Sequence, residues 1–273
     1  MRIYANPIEA VKEVERDLWE MGIRVHPQTV QDKFVSDDAQ FDTVELQAYG
    51  LQLNNGLWRN DTSWEVWVCD YIFRARGDEN EHMTSDEYEM IAKYIDAEFD
   101  DRISGVPQNP GNAAQHRPQV WNEFLHNGKF SYTYSERLSP QLSKVVTSIR
   151  SFPDTRQAIM SIHSNITPFT DQQRQEYPTT AVVQSSADLD NMNGKGRIPC
   201  SMYYQFMRRK NELQMIYTMR SCDYLTHFAV DIILALRMQA WVAERVGVPC
   251  GMFTYFIGSL HAYTKDMQTR GIF

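Results

Sequence analysis

No two of the four cysteines form a CxxC pair, and none has a histidine at metal-ligand spacing. Neither a zinc cage nor a disulfide framework is therefore expected, and Cys69, Cys200, Cys222 and Cys250 read as reduced thiols with no metal. Long apolar runs are missing too. No window reaches the roughly 18 apolar residues of a membrane span, and the opening "MRIYANPIEAVKEVERDLWEMG" is charged and amphipathic, without a signal-peptide core. A cytoplasmic protein free of membrane contact is the expectation. A basic excess is also absent: the net charge is −8 with both signs interspersed, which argues against broad nucleic-acid binding and requires any phosphate to be caught locally. Repeats, low-complexity tracts and linkers are not found. What is present is 42% hydrophobic and 12% aromatic residues over 273 positions, enough for a full core in one domain spanning 1–273.

Residues 6–22 read as a helix, with Asn6 as cap, Pro7 at the first helical position and Gly22 as stop. Val44, Leu46 and Ala48 alternate with polar neighbours, as do Trp64, Val66 and Val68, so two strands are expected around "NNGLWRND". Thr84 to Glu87 forms a capping box, behind which Ile91, Tyr94, Ile95 and Glu98 share one helical face. A carboxyl thus continues an apolar stripe, a position suited to general acid work and favoured here over the bland alternative, a helix-end ion pair with Arg102 at i+4. Residues 103–120 read as a long, functional loop. Strand character marks 158–163, 181–187, 198–208, 213–219 and 252–258, and 231–247 is an apolar helix ended by Gly247. The pattern is that of an α+β fold.

Within it, "IPCSMYYQ" at 198–205 and "RSCD" at 220–223 raise a chemical question. The strands 198–208 and 213–219 flank "RRKNE", which suits a tight hairpin turn beside Lys210. Facing residues then have numbers summing to about 420, which sets Cys200 across from Arg220 or Ser221. A fixed positive charge favours thiolate over thiol, and an Arg-Ser pair at a strand end suits a phosphate. Cys200 is either a nucleophile or one more core cysteine; the fragment alone leaves both open.

"RIPCSMYYQF", the twenty residues from Cys200 to "RSCD", and "GSLHAY", whose His261 lies forty-one residues after Arg220, resemble the thymidylate synthase superfamily. "VWNEFLHNGKFSYTY" and "FPDTRQAIMSI" resemble its W-x2-W...G-x-Y and DPxSRR segments. The resemblance implies a three-layer α/β variant of the α+β class. Its large, mostly antiparallel or mixed sheet is packed with helices, and the homodimer forms through the sheet. It implies Cys200 as a nucleophile adding to C6 of a pyrimidine nucleotide, with 5,10-methylenetetrahydrofolate as cosubstrate. Arg220 and Ser221 would hold the 5′-phosphate, with Gln205 near thiol and phosphate, and Arg156 contributed across subunits. His261 and Tyr263 would hold the sugar. Tyr134, closing its segment, would join the substrate-binding residues, and Asp223 and Trp121 would order the folate. Glu98, twenty-three residues before Trp121, would organise proton transfer.

The departures carry the specificity. Eleven residues past Arg220 the family has a uracil-reading asparagine, and here Asp231 stands. Cytosine offers an N4 amino donor and an N3 acceptor, which a carboxyl sharing a proton can satisfy. Asp231 also marks the deoxycytidylate hydroxymethylase branch, although an N-cap aspartate for 231–247 is chemically reasonable. Ser201 stands where the family usually has histidine, and "YLTHFAV" reshapes the base-pocket wall near His227. Gln157 replaces a phosphate-binding arginine, so Lys33 is drawn into the phosphate site, and "RGIF" is not the usual folate-covering tail. The expected activity is dCMP 5-hydroxymethyltransfer, serving the synthesis of modified viral DNA. The alternatives are dCMP 5-methylation, CMP 5-hydroxymethylation, a dUMP enzyme, or a non-catalytic nucleotide-binding homologue.

Overall fold

A computed structural model describes residues 1–30, 33–35, 38–54, 56–73, 82–162 and 198–269. β1 (Arg2–Tyr4) leads into α1 (Pro7–Met21), whose cap Asn6 accepts a hydrogen bond from the Glu9 backbone at 2.9 Å. Ala10, Val11, Val14 and Leu18 form its buried face, as their i, i+1, i+4, i+8 spacing requires. Short strands β2 (Ile23–Val25), β3 (Thr29–Val30) and β4 (Lys33–Phe34) precede the eleven-residue β5 (Thr43–Leu53).

The second strand expected here is instead helix α2 (Ser63–Phe73). Trp64, Val68 and Ile72 are buried at four-residue spacing, whereas Val66 is 42% exposed. Positions 64 and 68 lie on one face under either periodicity, and Cys69 and Ile72 decide for the helix. α3 (Ser85–Ile103) carries the expected Thr84–Glu87 capping box, with Tyr94 and Ile95 buried.

The supposed loop 103–120 is locally structured. A 3-10 turn (Asn112–His116) is held by Asp101, which accepts from Asn112 Nδ2 at 2.9 Å and from the Ala113 backbone at 3.0 Å. It leads into α4 (Pro118–Trp121). α5 (Tyr134–Ser151) follows, capped by Thr133 and Glu136. β6 (Ala158–Ser161), β7 (Ser201–Arg209) and β8 (Glu212–Asp223) lead to α6 (Phe228–Val246), which Gly247 ends in the left-handed region at φ 79°. β9 (Cys250–Tyr263) and α7 (Thr264–Thr269) complete the described chain. The strand expected at 181–187, and "RGIF", lie outside the described residues. Among the described residues no helix is long and apolar enough to cross a membrane.

The main sheet runs β1-β5-β9-β8-β7-β6, with β2 also on β5. β1–β5 and β8–β9 are parallel, and the other pairs are antiparallel. Register sorts it into rows. Met160, Tyr204, Tyr217, Tyr255 and Leu51 stand side by side across five strands and are all essentially buried. The adjacent row, Ile159, Gln205, Ile216, Thr254 and Gln52, faces the other way, and Ile159 is 44% exposed. The tyrosines stack, with Tyr204 and Tyr217 ring centres 4.5 Å apart and Tyr217 and Tyr255 5.0 Å apart. Leu51→Ala, emptying a fully buried place in this row, is expected to cost about 2–5 kcal/mol, read as a lowered urea midpoint at unchanged m-value.

Candidate active site

The β7–β8 hairpin turns at Lys210 and Asn211, both at positive φ (51° and 62°), as a two-residue primed turn demands. Arg209 therefore faces Glu212, and Tyr204 faces Tyr217. A bulge between Ser201 and Tyr203 leaves the Arg220 backbone donating to Cys200 O at 2.8 Å. The expected facing of Cys200 and Arg220 is thus found. The Arg220 guanidinium donates from Nε to Pro199 O at 3.0 Å and from Nη2 to Ile198 O at 2.9 Å, and its Nη2 lies 3.8 Å from Cys200 Sγ. It props the turn that presents the thiol and sets its charge beside the sulfur. Being exposed, it also has free edges for an anion.

Cys200 is half-buried, unlike Cys69 and Cys222 in the core. Burial pushes the Cys69 thiol up to about 12 and the Cys222 thiol well above its usual range.

Parallel pairing of β8 and β9 sets Ser221 beside Ser259 and Asp223 beside His261. Gly258 makes the approach possible, since a Cβ there would lie 2.7 Å from Arg220 O. His261 Nδ1 is 3.5 Å from both Ser221 Oγ and Ser259 Oγ, and Ser259 donates to Glu45 Oε2 at 2.8 Å. The Tyr263 ring meets His261 edge-on at 5.6 Å. Burial first, then Asp223, Asp266 and Cys200, push its hydroxyl up to about 12. Asp223 Oδ1 accepts from the Leu225 and Thr226 backbones at 3.1 and 3.3 Å, fixing the turn into α6.

Asp231 is not the N-cap of that helix; His227 is. Its carboxyl instead accepts from Cys222 Sγ at 3.6 Å. Burial raises its pKa above the ordinary carboxylate value, opposed chiefly by His227 and Arg102. Glu98 and Arg102 pair at 2.7 Å, so the i+4 ion pair and the inward placement hold together. Arg102, itself buried, donates onward to Tyr204 Oη at 3.2 Å and lies 4.3 Å over the Tyr134 ring. Tyr134 Oη is 3.5 Å from the Ser201 backbone nitrogen, and burial, Tyr132 and Cys200 raise its pKa well above the usual range. Ser201 is buried against Tyr217 Oη.

Arg102 and the Tyr204–Tyr217 pair were not expected at the site; the i+4 spacing from Glu98 was the one available signal. Gln205 is not brought to the thiol. Five residues of strand rise separate them by about 16 Å, and its Nε2 donates to Arg156 O at 2.9 Å. Arg156 itself is exposed, Trp121 packs against Phe124 and Phe130, and the Lys33 side chain lies outside the described residues. A cavity of about 250 Å³ borders the cluster, with Phe73, Met83, Ile91, Tyr94, Arg117 and Val230 among its walls. Among the described residues no cluster of metal-ligating side chains occurs.

Comparison with known proteins bears on the fold and the family. A Methanocaldococcus jannaschii protein described as "Putative thymidylate synthase" is 25% identical over 165 residues, 59% of this chain and 69% of that protein. Thymidylate synthase A of Bacillus subtilis superposes with a TM-score of 0.55 at 14% identity, covering 98% of this chain and 84% of that one. Thymidylate synthase from T4 phage gives 0.56 at 16% identity, covering 96% and 79%. These two likenesses show the fold. The family model for thymidylate synthase matches residues 108–270, a span that takes in Cys200, Arg220, Asp231 and His261, and the chain therefore belongs to the thymidylate synthase family.

Proposed function

We propose that this protein transfers a one-carbon unit from 5,10-methylenetetrahydrofolate to C5 of dCMP, with water completing the product as 5-hydroxymethyl-dCMP and releasing tetrahydrofolate. The observation that carries the reading is Asp231, a half-buried carboxyl whose pKa burial raises, at the place where the family's asparagine reads uracil. A carboxyl that keeps its proton donates to cytosine N3 through its hydroxyl and accepts from N4 through its carbonyl oxygen. Uracil, with O4 an acceptor and N3–H a donor, reverses both contacts.

Cys200 thiolate adds to C6: the S–C6 bond forms and the C5–C6 π pair moves to C5, its charge shared with the ring edge that Asp231 holds. Arg220 beside the sulfur favours the thiolate, and with Ser221 it receives the 5′-phosphate. Lys33 is assigned to the same phosphate region, and Gln205, which donates to Arg156 O, to steadying the element that carries Arg156. His261 and Tyr263 take the sugar 3′-hydroxyl, and Tyr134 walls the base. Glu98, oriented by Arg102, directs proton transfer at C5. The cavity beside Val230 suits the arylglutamate part of the folate, with aromatic Phe73 and Tyr94 for the ring and Arg117 for a carboxylate. Asp223 and Trp121 bind the rest of that cosubstrate, which supplies the carbon at the formaldehyde oxidation level. The outward row with Ile159 is assigned to a homodimer interface, through which Arg156 reaches the partner's phosphate site.

Tritium release from C5-labelled dCMP and dUMP, with methylenetetrahydrofolate present, tests the base. Release from dCMP at least about a hundredfold faster is expected, and none from dCMP sinks the reading. Appearance of dihydrofolate absorbance would assign methyl rather than hydroxymethyl transfer.

A further inference from the structure

At the far end of the β8–β9 pair, where Leu213 meets Cys250, a second cavity of about 830 Å³ opens between the turn Leu57–Asn60, α2 and α6. The strand length separating it from Asp223 and His261 is on the order of 30 Å. It serves none of the chemistry above.

Its wall holds an uncompensated cation. Arg59 donates from Nη2 to Gln239 Oε1 at 2.8 Å and to Gly251 O at 3.4 Å, and its guanidinium lies 4.5 Å from the Trp58 ring. All three partners are neutral. Its Nε is buried with no hydrogen-bond partner. The acid in the same wall, Glu65, is already taken by Arg237, which donates to it at 2.6 and 3.1 Å and also meets Asp96 at 2.6 Å. No carboxylate pairs with Arg59 among the described residues. Burial accordingly lowers the Arg59 pKa, and Cys250, lining the same cavity, is the one influence opposing that. A desolvated guanidinium with an orphan donor is costly unless an anion meets it. The remaining walls combine apolar Trp64, Leu236, Ala240 and Pro249 with the polar Asn60 and Thr62.

We propose that this cavity binds a small organic anion, its carboxylate or phosphate ester received by Arg59 and its apolar body laid against Leu236, Ala240 and Pro249. The Nη1 side of the guanidinium, which makes no hydrogen bond to the described residues and is not closed off as Nε is, supplies the donor edge, and the cavity is far larger than a bare oxyanion needs.

The test uses the full chain with benzoate, phenyl phosphate, inorganic phosphate and uncharged benzyl alcohol as probes. Tryptophan fluorescence reads binding, and mass spectrometry reads the alkylation rate of Cys250 separately from Cys200. Benzoate or phenyl phosphate is expected to bind saturably and to slow Cys250 alkylation, and which of the two does so identifies the headgroup. Arg59→Gln is expected to weaken that binding about ten- to a hundredfold, the worth of a hydrogen bond to a charged group. Equal protection by benzyl alcohol, or unchanged affinity in Arg59→Gln, overturns the charge recognition. Inorganic phosphate binding as tightly as phenyl phosphate overturns the apolar half. If Arg59→Gln does not fold, the comparison of anion with alcohol on the unaltered protein decides alone.

Discussion

Cys200→Ala is expected to lower tritium release from C5-labelled dCMP by at least about 10⁴-fold while leaving the fold and dCMP binding intact. The loss is large because nothing nearby can replace the sulfur. Cys222 is buried with its thiol pushed well above the usual range, and Cys69 lies in the core with its thiol pushed up to about 12. The fold survives because Arg220 keeps the preceding turn through Pro199 O and Ile198 O, neither of which involves the thiol. Binding survives because phosphate, sugar and base are assigned to other side chains. Two measurements check this: a dCMP titration, expected to change less than about threefold, and turnover under saturating substrate. Turnover within tenfold of the unaltered protein would remove Cys200 from the nucleophile role, and loss of dCMP binding would make it a structural residue instead.

The half of the site that depends on local pairing was legible in the sequence. A tight turn at Lys210 and Asn211 fixes which residues face each other, so Cys200 and Arg220 followed from arithmetic on two strands. The part set by tertiary packing was not. Trp64, Val66 and Val68 alternate as a strand would, and only the burial of Cys69 and Ile72 at helical spacing shows α2. α5 did have a signature, the Thr133–Glu136 capping box, but Pro140 inside it and the aromatic run before it obscure the period. Arg102 is the instructive case. The apolar stripe pointed Glu98 inward, while for Arg102 the sequence offered only an i+4 pairing, which on an exposed helix contributes little. The fold buries Arg102 against Tyr204 and Tyr134, and the same pair becomes the inner wall of a site. Gln205 shows the limit of a motif match: the family pattern sets it near thiol and phosphate, and its strand position sets its side chain against Arg156 O.

Asp231→Asn is expected to shift the ratio of kcat/KM for dCMP over dUMP towards dUMP by on the order of a thousandfold, because it reverses both hydrogen-bond senses at the base edge. An amide donates through nitrogen and accepts through oxygen, the pattern uracil requires, and it cannot supply the proton that cytosine N3 needs. The same substitution has a second signature, in stability, which any buried aspartate at this place would share and which therefore has to accompany the change in base preference. Burial holds the Asp231 pKa above the ordinary value of 3.8. An acid whose folded pKa is raised destabilises the fold at every pH above its unfolded pKa, whether or not the folded carboxyl has ionised, and the penalty is complete above the folded pKa. That penalty fades as the pH falls through the folded pKa towards the unfolded value. The asparagine variant should therefore melt higher than the unaltered protein at neutral pH, with the difference shrinking on acidification. A higher melting point with cytosine preference unchanged would leave Asp231 a buried acid without a reading role. A preference shift towards dUMP together with that pH-dependent gain would tie the destabilised carboxyl directly to base choice, with stability given up at the position where cytosine is recognised.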